Sequence, residues 1–175
     1  PSDALNHEDI EANIVWLEAA FKKRGFQTQR LKTTNEDLFF AELPKIDNAP
    51  TLLLYMHFDG QAVDPEKWEQ ENPYQVVLKE KDEEGDWKQI AWERLGEFNP
   101  DWRIFGRTTA DDKGPIIMFL HAMDMLMNSD AVIRWNVKVL LDSEEERGSK
   151  PLAAAVKKYK DKLAADYLLI HDGPM

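Results

Sequence analysis

Residues 51–56 read Thr-Leu-Leu-Leu-Tyr-Met, and this run decides the fold. It is nearly all apolar and does not alternate, which marks a strand buried on both faces in a parallel or mixed sheet covered by helices. Residues 133–141 (IRWNVKVLL) form a second strand, alternating at first and ending Val139-Leu140-Leu141. Residues 167–170 (YLLI) form a final buried strand. Between these runs the apolar spacing turns helical. Residues 113–127 set Ile116, Phe119, Leu120, Met123 and Leu126 inward, and residues 151–163 form a second amphipathic helix. Upstream, Asn6 caps a helix over 7–24 that turns Ile10, Ile14, Leu17 and Phe21 inward and stops at Gly25. Strands are expected over 26–31 and 37–43, and over 76–79 and 88–92 within a surface insertion rich in Trp and Pro. Alternating strands and helices predict an α/β domain.

Composition narrows the function. A chain of 175 residues that is 43% hydrophobic, with six Trp and eight Phe, holds one domain with a real core. The net charge of -11 disfavours nucleic acid and anionic membrane as partners, since phosphate contacts need clustered Lys and Arg. No run reaches the roughly 18 apolar residues of a membrane span. Cysteine is absent, so disulfides and thiolate metal sites are excluded, and any metal is held by His, Asp and Glu.

Polar clusters follow the apolar runs. His57 and Asp59 come after residues 51–56 and share a face at i and i+2, so the acid can orient a metal-binding imidazole. On their own they also read as an ordinary turn. Asp111 and Asp112 lie where a loop enters a helix; Asp111 is placed to bridge two cations, and either acid suits a helix cap. Glu144, Glu145 and Glu146 follow the strand 133–141. Three acids in a row are commonly a solvated edge, yet at the end of a buried strand they call for a positive partner. Adjacent glutamates also allow one to ligate metal while its neighbour acts as base. Asp172 follows the last strand; His171 competes with it as a ligand, and strand alternation sets the two on opposite sides. All four clusters fall at the carboxyl edge of the sheet, where open α/β sheets bind ligands.

Taken together, MHFDG (56–60), GRTTADDKGP (106–115), DSEEERGS (142–149) and HDGP (171–174) resemble the M-twenty family of zinc peptidases and deacylases, in family order and along essentially the whole chain. The stretches DGQAVDPEKW (59–68) and DWRIFGRTTADDKGP (101–115) look most like its dipeptidase and carnosinase-type branch. The resemblance implies a three-layer domain with a mixed, largely parallel central sheet flanked by helices. It implies that His57 and Asp172 bind one zinc, that Glu146 binds another, that Asp111 bridges both, that Glu145 is the general base and that Asp59 supports His57. Glu144 leaves the register open by one residue, and Gly148-Ser149 favours Glu145 and Glu146. A cis peptide at Asp111–Asp112 is also implied. Two zinc ions per complete site are expected, with Mn or Co as alternatives, and a small peptide or N-acyl amino acid as substrate.

Family members are longer. The resemblance therefore makes residues 1–175 the N-terminal portion of a catalytic domain, without the dimerising lid domain or the segment that carries a last zinc-binding histidine. On that reading the fragment alone is inactive and the parent is a homodimeric enzyme, expected in the cytoplasm, with the periplasm or secretion left open. Two other readings compete. A non-catalytic relative would bind a ligand in the same groove, although retention of Glu145 and Glu146 argues against it. A two-metal phosphoesterase site would also be rich in His and Asp, but nothing in the sequence resembles a phosphate-cradling loop.

Overall fold

The first helix starts where Asn6 can cap it. The Asn6 side-chain oxygen accepts from the Glu8 and Asp9 amides, and α1 (His7–Lys22) buries Ile10, Ile14, Leu17 and Phe21. Gly25, at φ +78, takes the left-handed turn that leads out of it. This computed structural model describes residues 1–172; Gly173 and Pro174, the end of the fourth motif, lie outside the described residues.

Five strands form the main sheet: β1 (Gln27–Leu31), β2 (Leu38–Glu42), β3 (Thr51–His57), and further on β7 (Asn136–Asp142) and β8 (Tyr167–Ile170), in the order β1-β2-β7-β3-β8. The sheet is mixed. β7, β3 and β8 run parallel, whereas β1 and β2 join through antiparallel pairs. Alternation along each strand separates two cores. On one face Phe39, Ala41, Leu54, Met56, Val137, Val139 and Leu141 meet α1 and α2 (Gly114–Met127), with Phe21 at the centre against Phe26, Phe39 and Phe119. On the other face Leu38, Phe40, Leu53 and Leu140 meet Ala155 of α3 (Leu152–Lys158) and Leu163 of α4 (Lys160–Leu163). Helices on both faces make three layers.

The middle of the chain has a sheet of its own. β4 (Val77–Lys81) pairs antiparallel with β5 (Trp87–Ile90) and β6 (Arg103–Phe105). A three-residue strand such as β6 is too short to show a period, so the sequence does not announce it.

Three expectations need correction. β8 is a strand over the expected residues but is not buried: Tyr167, Leu168, Leu169 and Ile170 are 47–59% exposed. It is the edge strand, paired among the described residues with β3 alone. Leu126 is 40% exposed, because Met123 is the last side chain of α2 to reach the core. The helix expected over 151–163 breaks at Tyr159, whose hydroxyl donates to the Lys32 carbonyl at 3.1 Å.

Candidate metal centre

Parallel register brings the site together. His57 ends β3 directly opposite Asp142 at the end of β7, and the His171 amide donates to the Tyr55 carbonyl beside the end of β8. Three strands therefore deliver their next polar residues to one edge. The irregular turn Thr109–Lys113 before α2 adds Asp111 from above; its Asp111–Asp112 peptide bond is cis, as the resemblance implies.

His57 is the centre of the arrangement and is wholly buried. Its Nδ1 lies 3.3 Å from Asp59 Oδ1. That partner places the Nδ1 proton and turns Nε2 toward the acids. Nε2 lies 2.8 Å from Asp111 Oδ1, 3.7 Å from Asp172 Oδ1 and 3.9 Å from Glu145 Oε2. His57, Glu145 and Asp172 each offer a ligand atom, all within 4.8 Å of one another, in a set that can hold a metal ion. One nitrogen and several carboxylate oxygens suit zinc, and manganese or cobalt equally.

Charge is concentrated here around a buried imidazole, with Asp111, Glu145 and Asp172 open to solvent on the outer side. Burial works against a charged His57 ring; the hydrogen bond and charge of Asp59, with Asp112 and Glu145, overcome it and push its pKa up to about 9. Burial raises the Glu145 carboxyl, helped by Asp172, Glu146 and Asp59 and opposed by His57. Burial also lifts Asp112 to about 6 against the hydrogen bond it accepts from the His57 amide at 3.0 Å.

The three consecutive glutamates part company. Only Glu145 turns to His57. Glu146 Oε2 accepts from Gln61 Nε2 at 2.8 Å, outside the group formed by His57, Glu145 and Asp172. Glu144 is buried on the other side, where its two carboxylate oxygens accept from Asn35 Nδ2 and the Glu36 amide at 3.3 Å each. Asp59 reaches across to this turn: its oxygens accept the Glu145 and Glu146 amides at 3.1 Å each. Asp172 joins the cluster and His171 does not.

Tyr55, Asp142 and Gln61 escape sequence reasoning, and Asp112, read there as a helix cap, makes no capping bond to α2 and serves His57 instead. Asp112 holds the His57 amide, and Asp142 accepts from Tyr55 Oη at 3.0 Å and from the Glu144 amide at 3.0 Å. Burial, and then the Asp142 charge, push the Tyr55 hydroxyl well above its ordinary value. Gln61 holds Glu146. A hydroxyl inside an apolar run, and the first acid after Val139-Leu140-Leu141, are the only signals the sequence offers for Tyr55 and Asp142.

Known proteins share this fold. Residues 53–175 match Peptidase family M20/M25/M40. The chain is 27% identical over 176 residues to a cysteinylglycine-S-conjugate dipeptidase of Corynebacterium striatum, across 99% of this chain and 33% of that protein. It is 26% identical over 137 residues to a Beta-Ala-His dipeptidase of Rattus norvegicus, across 77% of this chain and 24% of that one. An M20 family metallo-carboxypeptidase from Sulfolobus solfataricus superposes with a TM-score of 0.76 at 28% identity, over 100% of this chain and 35% of its own. Human carnosine dipeptidase 1 shares the fold, with a TM-score of 0.79 at 20% identity over 99% of this chain and 36% of its own. The matches thus span 24–36% of the length of these relatives. The family match runs through β3, β7 and β8 and the residues that meet at their ends, so the chain belongs to peptidase family M20/M25/M40.

Proposed function

We propose that this chain forms the metal-holding part of an enzyme that hydrolyses an amide bond in a dipeptide or N-acyl amino acid. The observation that carries the reading is the convergence of Asp111, Glu145 and Asp172 on one buried imidazole nitrogen. The dipeptidase names of the relatives support the substrate class.

On this reading His57 and Asp172 would hold one metal ion and Glu146 a second, with Asp111 serving both. Bound there, the pair would supply an acidified water and a polarised scissile carbonyl. Asp59 keeps the proton on His57 Nδ1 and so keeps Nε2 aimed at the site. Glu145, its carboxyl raised by burial, takes a proton from the attacking water and returns it to the departing amine nitrogen. Substrate recognition, a lid and a dimer interface belong, on this reading, to the larger part of the relatives' length that the chain does not span.

The test is zinc titration of the metal-stripped chain. About one tight equivalent, lost in His57→Ala, supports the reading, because His57, Asp111 and Asp172 all lie on this chain. Absence of zinc binding both here and in a version extended to the relatives' full length overturns it.

A further inference from the structure

Asp59 holds more than the histidine. Its carboxylate is wholly buried and uses both oxygens. Oδ1 lies 3.3 Å from His57 Nδ1 and accepts the Glu145 amide at 3.1 Å; Oδ2 accepts the Glu146 amide at 3.1 Å. A buried carboxylate is tolerated when donors meet it, and here three N–H groups do. Two of them open the turn Glu145–Arg147, which lies 86 residues away from Asp59 in the chain. Directly before this turn, Asp142 Oδ1 accepts the Glu144 amide at 3.0 Å. The glutamate segment therefore hangs from two buried carboxylates, and the Asp59 one is shared with the imidazole.

We propose that Asp59 is a positioning residue for the Glu145–Glu146 turn as well as for His57, so that holding a cation at His57 and placing Glu145 are coupled through one carboxylate. A cation on Nε2 draws charge from the ring and makes Nδ1–H a stronger donor to Oδ1, the oxygen that also receives the Glu145 amide. Coupling between two sites is reciprocal, so an ordered turn favours the cation as much as the cation orders the turn. The coupling rests on the metal reading above. The hold of Asp59 on the turn does not.

Amide hydrogen exchange, followed by NMR on the metal-free chain and with zinc, tests both. Asp59→Asn keeps the shape but puts an amide group against two amides. Exchange at Glu145 and Glu146 should rise about tenfold or more, with Val139–Leu141 unchanged. His57→Asn leaves Asp59 in place, so both amides should stay slow. Zinc should slow them in the parent chain and not in Asp59→Asn. Unchanged exchange in Asp59→Asn, or equally fast exchange in His57→Asn, overturns the proposal. If Asp59→Asn does not fold, the parent chain decides: the Glu145 and Glu146 amide resonances must shift on zinc addition with the same midpoint as the His57 ring, and static resonances overturn the coupling. Failure of both the unmutated chain and the version of full relative length to bind zinc overturns the functional reading, while the metal-free comparison still decides the role of Asp59.

Discussion

His57 Nε2 and Asp111 Oδ1 lie 2.8 Å apart. With the Nδ1 proton turned to Asp59, this approach sets a nitrogen lone pair against a carboxylate oxygen unless a proton or a cation stands between them. In the metal-free chain the proton does so, since the His57 pKa is pushed up to about 9. A metal ion must displace it. Zinc affinity should therefore rise about tenfold per pH unit through neutrality, level off near pH 9, and be accompanied by proton release. Calorimetric titrations in buffers of different ionisation enthalpy measure that release; affinity independent of pH would contradict it.

The same shift fixes the pH dependence of stability without metal. The folded pKa of His57 exceeds its ordinary 6.5, so the folded state binds the proton more tightly. The resulting stabilisation is complete below about 6.5 and is lost as pH rises towards 9. Urea midpoints of the stripped chain should fall across that window, and His57→Asn should flatten the fall.

The three glutamates should separate by phenotype. In a version of full relative length, Glu145→Gln should lower kcat by roughly 10²–10⁴-fold with metal content unchanged, as expected for a lost general base. Glu146→Gln should lower metal content instead. Glu144→Gln should leave both alone and cost only stability, because Glu144 faces Asn35 and the Glu36 amide. Metal analysis beside steady-state kinetics separates the three, and loss of metal in Glu145→Gln would reverse the assignment.

Gly114 tests the turn that carries Asp111. A Cβ at this position would clash with the Thr109 carbonyl oxygen, a backbone atom that cannot swing aside. Gly114→Ala should displace the turn Thr109–Lys113 and weaken zinc binding while the core stays folded. Phe21→Ala is the contrasting case. It removes a ring packed 5.1–5.2 Å from Phe26 and Phe39 and should cost about 3–5 kcal/mol without a specific effect on metal. Thermal melts and zinc titrations on both variants provide the comparison.

The outer edge of β8 should make the chain self-associate. Its four apolar side chains are about half exposed on an edge with no strand beyond it among the described residues. Sedimentation should show concentration-dependent association that Leu169→Lys reduces; an unchanged profile would remove the edge as the cause.

Much of this protein is local and was legible in the sequence. Asn6 caps α1 and Ile10, Ile14, Leu17 and Phe21 share its inner face because both depend on residues within a few positions of one another. The apolar runs became parallel strands, and each brings its polar cluster to the same edge, because strands that pair in parallel end together. His57 and Asp59 met as an i, i+2 pair for the same local reason.

What only the tertiary structure decided lies where the chain leaves regular geometry. Which glutamate faces His57, where Glu146 rests and that Glu144 is buried follow from hydrogen bonds to Asp59, Gln61 and the Glu36 amide, each more than 80 residues away. The exposure of β8 likewise depends on what lies beside it in the sheet. Periodicity predicts direction only while the backbone repeats. At an irregular turn a side chain points where distant donors and acceptors hold the backbone, and a sequence pattern carries no record of them.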